Sequence, residues 1–460
     1  MERLTAEDRL MLWPDERWPQ DIGALAILDG AALLGPDGRF RVETARQAVE
    51  TRLHLVPRFR QVLHVPRHGL GGPLWTDATA FDLADHVRVA SVPAPGDEAA
   101  LLRVAEQLRG HRLDRSRPLW EMWFLTGLPE RRIGLFARMH HAIADGIAGV
   151  ATLGAFLDTT PSAPSGQARP WTPAPAPSPR TLLADNLRRQ AGGVGGAFSA
   201  LARPVPTARK LQDVFSATRG MFSAPPTPRT SLDQVVGADR SLAVIRGNLD
   251  LATQAAHRHG AKVNDVLLAV TAAGLRGLLL GRGEPVENLD LPVYVPITLR
   301  PPQRREQARG NMIGQMIVLL PIGEPDSILR LEQIAAQAAR QKASSHPNLG
   351  TMFRGRLARR VLLAFLDRHP VNVTTADVPG PPHHVYFAGA RVLEVFPLLP
   401  LIANVTLGVG ALSYAGQLNI TVVADRDAVP DLDTFTAAAR SELRTLCEPV
   451  SAGSRSSPPP

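Results

Sequence analysis

Apolar and polar residues follow two different repeats along this chain of 460 residues, and the repeats predict strands and helices in alternation. Short apolar runs bounded by polar residues, such as 23–28 and 133–139, are typical of buried strands. A repeat of three and four residues, as in 101–108, indicates one face of a helix. The same criteria predict further helices at 42–53, 147–157, 249–259, 264–280 and 432–446, and further strands at 291–297, 316–320, 371–375, 405–412 and 418–423. We therefore expect a mixed α/β fold.

Composition divides the chain into two halves of similar size. The length predicts two or three domains of roughly 150 residues each. Residues 161–235 are rich in proline, glycine, serine and alanine, which is typical of linkers. Residues 451–460 end in three prolines. We predict a first α/β domain at 1–160, a basic Pro/Gly-rich linker at 161–235, a second, related domain at 236–450 and a disordered tail at 451–460.

Charge and composition narrow the classes of partner. A net charge of +8 favours anionic partners. The sequence has no zinc-finger spacing, no basic run that precedes a heptad repeat and no base-stacking aromatic motif, so nucleic acid is not expected. The apolar segments 266–280 and 397–409 fall short of the roughly 20 residues that span a bilayer, which leaves peripheral membrane contact. The N-terminal residues do not resemble a secretory signal. Cys447 is the only cysteine, which excludes an intrachain disulfide and favours the cytoplasm.

The segment His140-His141-Ala142-Ile143-Ala144-Asp145-Gly146 leaves the strand predicted at 133–139 and is the candidate reactive site. Neighbouring side chains of an extended chain point to opposite sides, so one histidine faces a cavity and the other the protein. A neutral imidazole can take a proton from a hydroxyl and pass it to a leaving thiolate, as acyl transfer requires. Gly146 is expected to allow a tight turn into a helix whose first N–H groups could receive an oxyanion.

The histidine pair also has two non-catalytic interpretations. Adjacent histidines can be core residues or metal ligands, but zinc sites usually take histidines at other spacings, so no metal is expected. The sequence has no Gly-x-Ser-x-Gly elbow and no nucleotide-binding glycine loop. With one cysteine near the C-terminus, direct attack by an acceptor is a simpler mechanism than a covalent intermediate.

Further motifs flank the histidines in a fixed order. They are Trp75-Thr76-Asp77, Phe81-Asp82-Leu83, Pro118-Leu119-Trp120, Val263-Asn264-Asp265, Pro296-Ile297-Thr298-Leu299-Arg300, Gly310-Asn311, Ser413-Tyr414 and Ala424-Asp425-Arg426. With His-His-x-x-x-Asp-Gly, this order resembles the bacterial wax ester synthase/diacylglycerol acyltransferase family over most of the chain. One departure is Asp377, where members commonly carry asparagine, and it concerns contacts near the domain interface.

The resemblance implies a fold and roles for individual residues. It implies two chloramphenicol acetyltransferase-like domains, as in CoA-dependent acyltransferases and condensation domains, with an active-site tunnel between them. His141 would be the general base, His140 would support its strand, and Gly146 would be a candidate oxyanion donor. Asp145 would be structural and salt-bridged to an arginine, for which Arg300 is our candidate. The remaining candidates are Asn264, close to the site; Pro118, Leu119 and Trp120, as substrate contacts or packing; and Asp265, as a helix cap.

The activity implied by the resemblance is O-acyl transfer from a long-chain acyl-CoA to diacylglycerol, and to fatty alcohols in wax ester synthesis. Acyl-CoA is then a co-substrate, and no bound cofactor is expected. Two alternatives stay open: an acyltransferase of secondary metabolism acting on a hydroxyl or amine, and a silent lipid-binding member, against which the intact motif argues. Within the linker, residues 180–219 carry seven basic residues against two acidic ones, which predicts contact with the inner face of a membrane or with lipid droplets, unless this segment is simply solvated.

Overall fold

Helices and strands alternate through the computed structural model, which describes residues 2–162, 166–201, 228–298, 313–342 and 371–448. The helices are α1 (Ala6–Leu12), α2 (Val42–Glu50), α3 (Glu98–Gly110), α4 (Gly146–Gly154), α5 (Pro179–Leu201), α6 (Leu249–Arg258), α7 (Val263–Gly281), α8 (Ser327–Lys342) and α9 (Leu432–Cys447). The strands are β1 (Glu2–Arg3), β2 (Asp21–Asp29), β3 (Gln61–His64), β4 (Leu74–Asp77), β5 (Val87–Ser91), β6 (Trp120–Thr126), β7 (Arg132–His140), β8 (Arg240–Asn248), β9 (Asp290–Thr298), β10 (Ile313–Pro321), β11 (Val373–Pro379), β12 (Tyr386–Phe387), β13 (Ala390–Leu398), β14 (Leu407–Tyr414) and β15 (Gln417–Asp425). The mixed α/β prediction is confirmed.

The first large sheet carries the histidine motif. Its six strands lie in the order β12-β13-β2-β7-β6-β5. β7 is antiparallel to both β2 and β6, and His140 at its end pairs with Asp21. Every residue of β7 after Arg132 is buried, as expected for a strand covered on both faces.

The second large sheet, in the order β10-β9-β11-β14-β15-β8, forms the core of the other domain. Helices α7 and α9 pack together with apolar residues from strands of this sheet in one continuous core. α7 is long and apolar enough to span a membrane by length and composition, but most of it is buried in this core.

The two large sheets pack against each other face to face. Leu25 and Phe136 of the first sheet share one apolar cluster with Val244 and Val423 of the second. The side chain of Glu106 on α3 accepts a hydrogen bond from the N–H of Leu242 on β8 at 2.7 Å, which adds a polar contact at the same boundary. The domains therefore meet over an extended surface.

The predicted division at the linker needs one correction. β12 and β13 come from the second half of the chain, yet β13 pairs with β2 in the first sheet, with Phe396 opposite Leu25. The second domain is therefore not the continuous range 236–450. Strand pairing between segments far apart in sequence leaves no local pattern, which explains why the sequence did not reveal the crossing.

The predicted linker is also more structured than its composition suggested. The Ala174 N–H donates to the Asp77 carboxylate at 3.0 Å, and the Trp171 ring lies 5.1 Å from the guanidinium carbon of Arg60. This part of 161–235 therefore lies against the first domain.

Helix α5 also lies within the predicted linker. Ser178 accepts from the Thr181 N–H at 3.2 Å, and Pro179 is the first helical residue, both of which are ordinary helix-start signals. Asp185 on α5 pairs with Arg3 at 2.6 Å. Counting proline and glycine over the whole segment concealed these local signals.

Candidate active site

The chain turns immediately after β7, so the two histidines occupy different environments. His140 is the last residue of the strand and is 2% exposed, whereas His141 begins the turn and is partly exposed. The His140 N–H donates to the Leu119 carbonyl at 2.9 Å, and the His141 N–H to the Gln20 carbonyl at 2.7 Å. The pair is thus divided as the sequence indicates, while the role of His141 as base stays a prediction.

The His140 ring is hydrogen-bonded at one nitrogen and lies beside a carboxylate at the other. Its Nδ1 accepts from the Ala142 N–H at 2.9 Å. Because Nδ1 is an acceptor here, the proton of the neutral ring lies on Nε2. That nitrogen is 3.3 Å from Oδ1 of Asp15, close enough for electrostatic attraction but not aligned as a conventional hydrogen bond. This geometry suits a supporting histidine.

Asp15, which the sequence did not single out, carries a negative charge beside this ring. Its Oδ1 accepts from the Gln20 N–H at 2.9 Å, and its Oδ2 accepts from Arg115 at 2.6 Å. Burial alone would raise the pKa of the Asp15 carboxyl, but His140, the Gln20 N–H and Arg115 together lower that pKa well below its usual range. The carboxylate is therefore charged throughout the neutral range.

A second buried carboxylate pairs with an arginine of β7. Arg138 is 3% exposed, and its guanidinium lies 3.1 Å from Asp21 and 2.6 Å from Glu121. Burial raises the pKa of Asp21, and Arg138 opposes that rise. An arginine inside an apolar strand requires a buried partner, because an unpaired buried charge costs several kcal/mol. That requirement was a signal from which the sequence could have predicted this network; Asp15 had no such signal.

A cavity of about 290 Å³ opens beside the supporting histidine. Its lining includes Asp15, Asp21, Arg115, Leu119 and His140. His141 is not among the residues that line it. The predicted tunnel through His141 stays a prediction.

Asp145 begins helix α4. It is buried, its carboxylate accepts from the Ala148 N–H at 2.9 Å, and its carbonyl accepts from the Gly149 N–H at 2.6 Å. This is N-capping geometry. The proposed partner Arg300 lies outside the described residues, so the predicted salt bridge remains untested.

Gly146 has a different role from the one expected. It is not among the glycines with positive φ, so the turn does not require its conformational freedom. A Cβ at this position would instead lie 3.4 Å from Cγ2 of Val378 on β11. The start of α4 therefore faces the second domain, next to Asp377, the residue that departs from the family pattern.

The other candidates fall into two groups. Leu119 and Trp120 are buried with Pro118, and the Trp120 indole donates to the Phe59 carbonyl at 2.8 Å, so these side chains pack the first domain, and only the Leu119 carbonyl supports His140. Asn264 lies partly exposed in the first turn of α7, and its role near the site stays a prediction.

Asp265 accepts from the Lys262 N–H at 2.9 Å, which confirms the predicted cap. The Gly310-Asn311 pair lies outside the described residues. Within the described ranges, no group of three or more His, Cys, Asp or Glu side chains could hold a metal ion.

Two family models cover most of the chain. The model described as the wax ester synthase/diacylglycerol acyltransferase catalytic domain matches residues 4–267, and the WS/DGAT C-terminal domain matches residues 309–447. A Mycobacterium tuberculosis protein named as a diacylglycerol O-acyltransferase is 30% identical over 93% of this chain and 93% of its own length. Another from that organism, tgs1, is 28% identical over 89% of this chain and 87% of its own.

Solved structures show the same fold. The wax ester synthase/diacylglycerol acyltransferase from Marinobacter aquaeolei VT8 matches with a TM-score of 0.69 and 23% identity, covering 96% of this chain and 98% of that one. The starter condensation domain of rhizomide synthetase RzmA, solved with C8-CoA, matches with a TM-score of 0.60 and 16% identity, covering 97% of this chain and 94% of that one. The expected acyltransferase-like fold is confirmed. The chain belongs to the wax ester synthase/diacylglycerol acyltransferase family.

Proposed function

We propose that this protein transfers a long-chain acyl group from acyl-CoA to the hydroxyl of diacylglycerol, with fatty alcohols as a second class of acceptor. Membership of the family and the diacylglycerol O-acyltransferase names of its relatives support the reaction. The observation that carries the proposal for the site is that His141 directly follows the buried strand β7 and lies in the short turn that leads into α4, whose start faces the second domain.

In this mechanism His141 removes the proton from the acceptor hydroxyl, and the oxygen attacks the thioester carbonyl carbon. The carbon–sulfur bond then breaks, and the proton passes from His141 to the leaving thiolate of coenzyme A. The Gly146 N–H lies ahead of the first intrahelical bond, from Gly149 to Asp145, so it is available to stabilise the oxyanion.

The test is an acyl-transfer assay with palmitoyl-CoA and diacylglycerol, hexadecanol or no acceptor. His141→Ala should lower turnover by about 10² to 10⁴ while the fold, measured by circular dichroism, is kept. His111→Ala, at an exposed histidine at the end of α3, is the matched control and should retain full turnover. Unchanged turnover in folded His141→Ala would refute the role of His141. Failure of the wild-type protein to acylate either diacylglycerol or hexadecanol would refute the substrate assignment.

We further propose that the protein associates peripherally with anionic membrane or lipid-droplet surfaces through α5. Leu183 and Leu187 on this helix are 44% and 55% exposed, and the neighbouring Arg188 is exposed too, whereas Arg189 pairs with Asp185 at 3.1 Å. Leu182 is buried and Asp185 pairs with Arg3, which holds the opposite side of the helix on the first domain. Basic residues at an anionic surface contribute about 1 kcal/mol each, and exposed leucines add apolar burial.

Liposome flotation tests this association. The wild-type protein should float with vesicles that contain anionic lipid, and Leu183→Ser/Leu187→Ser should reduce the bound fraction. Leu329→Ser, at a leucine of α8 that is equally exposed, is the control and should bind as the wild type does. Equal binding to neutral vesicles, or no effect of the double substitution, would count against the proposal.

A further inference from the structure

The loop before β2 reaches both histidines of the motif through one carboxylate. We propose that Asp15 is a positioning residue that fixes the ring of His140 and the backbone of His141, an inference that rests on the proposed acyl transfer by His141. The His141 motif lies about 125 residues further along the chain, so only the fold brings them together.

The first connection runs to His140. Oδ1 of Asp15 lies 3.3 Å from Nε2, the nitrogen that carries the proton, and the negative charge favours that tautomer. Nδ1 is thereby left free to accept from the Ala142 N–H at 2.9 Å, within the turn that follows His141. Loss of the charge would let the ring change tautomer or orientation, and the Ala142 N–H would lose its buried acceptor.

The second connection runs to His141 through Gln20. Oδ1 of Asp15 also accepts from the Gln20 N–H at 2.9 Å, and the Gln20 carbonyl accepts from the His141 N–H at 2.7 Å. The Gln20 side chain is buried and donates to the Trp18 carbonyl at 2.9 Å, which stiffens this loop. One carboxylate oxygen therefore sets the position of the loop that holds the His141 backbone.

Two arginines hold Asp15 itself in place. Arg115 donates to Oδ2 at 2.6 Å, and Arg112 donates to the Asp15 carbonyl at 2.5 Å. Both precede Leu119, whose carbonyl accepts from the His140 N–H. Asp15 therefore connects the loop before β2, the segment 112–119 before β6 and the turn that follows β7.

The consequence for catalysis is specific. Loosening the turn would misplace the His141 base without removing it, and misplacement of a catalytic group by about 1 Å can cost about 10²-fold in rate. Asp15 itself does not touch substrate in this mechanism. The loss should therefore appear in kcat, with KM for acyl-CoA unchanged.

The experiment compares Asp15→Asn, which keeps an oxygen acceptor but loses the charge, with Asp15→Ala, which loses both. We expect kcat to fall about tenfold and about 10²-fold respectively, with KM within about twofold of wild type. The control is Glu442→Gln, at a buried carboxylate of α9 that accepts from Arg330 at 2.6 Å and Ser327 at 2.7 Å. It should lower stability and leave kcat per folded molecule unchanged.

A spectroscopic measurement separates positioning from general destabilisation. In protein labelled with ¹⁵N-histidine, the His140 signals, identified by their loss in His140→Gln, should show a protonated Nε2 in the wild type and mixed tautomers in Asp15→Ala. Unchanged His140 nitrogen shifts, or kcat values that match the Glu442→Gln control, would overturn the inference. His141→Ala tests the base separately, so full turnover in that variant would refute the proposed function while the nitrogen shifts still decide the role of Asp15.

Discussion

Replacing Trp120 by phenylalanine should cost stability and spare catalysis, because the structure makes this residue part of the core of the first domain. The side chain is 1% exposed and stacks between Phe59 and His86, with ring centroids 4.4 and 4.6 Å away. Its indole N–H donates to the Phe59 carbonyl at 2.8 Å. The residue is therefore packed on both faces and satisfied at its polar edge.

The expected loss follows from these contacts. Trp120→Phe preserves an aromatic ring but leaves the Phe59 carbonyl without this donor, which costs about 1 to 3 kcal/mol at a buried site. The smaller ring also leaves unfilled volume, at about 24 cal/mol per Å³ of residual cavity. We expect the free energy of unfolding of the first domain to fall by about 2 to 4 kcal/mol, and kcat/KM per folded molecule to stay within about threefold.

Urea unfolding followed by circular dichroism measures the loss, and Trp123→Phe on the same strand is the matched control. The Trp123 N–H is buried without a hydrogen-bond partner among the described residues, and Arg88 lies 5.2 Å from its ring. The cation–π contact is weaker on a phenylalanine ring, which costs at most about 0.5 to 1 kcal/mol, and removal of the unsatisfied donor offsets this cost. Equal losses in both variants would refute this reasoning, and a fall in kcat/KM without loss of stability would make Trp120 a substrate contact.

Substitutions at three further positions test other parts of the structure. Burial lowers the pKa of His86 below its ordinary 6.5, although the bond to the Trp120 carbonyl opposes this shift. Its contribution to stability is therefore complete above the unfolded pKa and is lost as the pH falls below it. The free energy of unfolding of His86→Phe should accordingly fall less between pH 7 and pH 5 than that of the wild type, and an equal fall would contradict this. Asp145→Ala should cost at least about 1 kcal/mol in urea unfolding, because it removes the cap of α4, and Asp145→Asn should cost less if capping dominates. Gly146→Ala should change the free energy of unfolding by less than about 1 kcal/mol, since the added methyl meets Val378 at an ordinary contact distance, and a larger loss in thermal or urea unfolding would show that the contact is strained.

The parts of the fold that the sequence predicted are those that carry a local signal. The strand predicted at 133–139 is β7, because a central strand is apolar on both faces, and the helix predicted at 264–280 is α7, because it is apolar over several turns. The motif at 140–146 could be located for the same reason. Its residues lie together in sequence, and the strand and helix on either side each have a clear repeat.

The parts that were missed depend on contacts between distant segments. β13 is a largely apolar run that contains Pro397, and only its pairing with β2 assigns it to the first sheet. Asp15 lies in a short turn with no repeat, so its contact with His140 could not be predicted. The helical part of the linker could have been found from Ser178 and Pro179, which shows that segment-wide composition is a poor guide to local structure.

The histidine pair shows why the catalytic motif needs more of the chain than its own seven residues. α4 is short and contains three glycines, so it has little intrinsic helical stability and depends on its cap and on packing. The turn before it is held by the carbonyls of Leu119 and Gln20, and the helix start faces Val378 of the second domain. Each of these supports comes from a different segment. A substitution in any one of them can therefore move His141 without altering the motif, so in family members with an intact motif, activity should depend on whether these supports are kept.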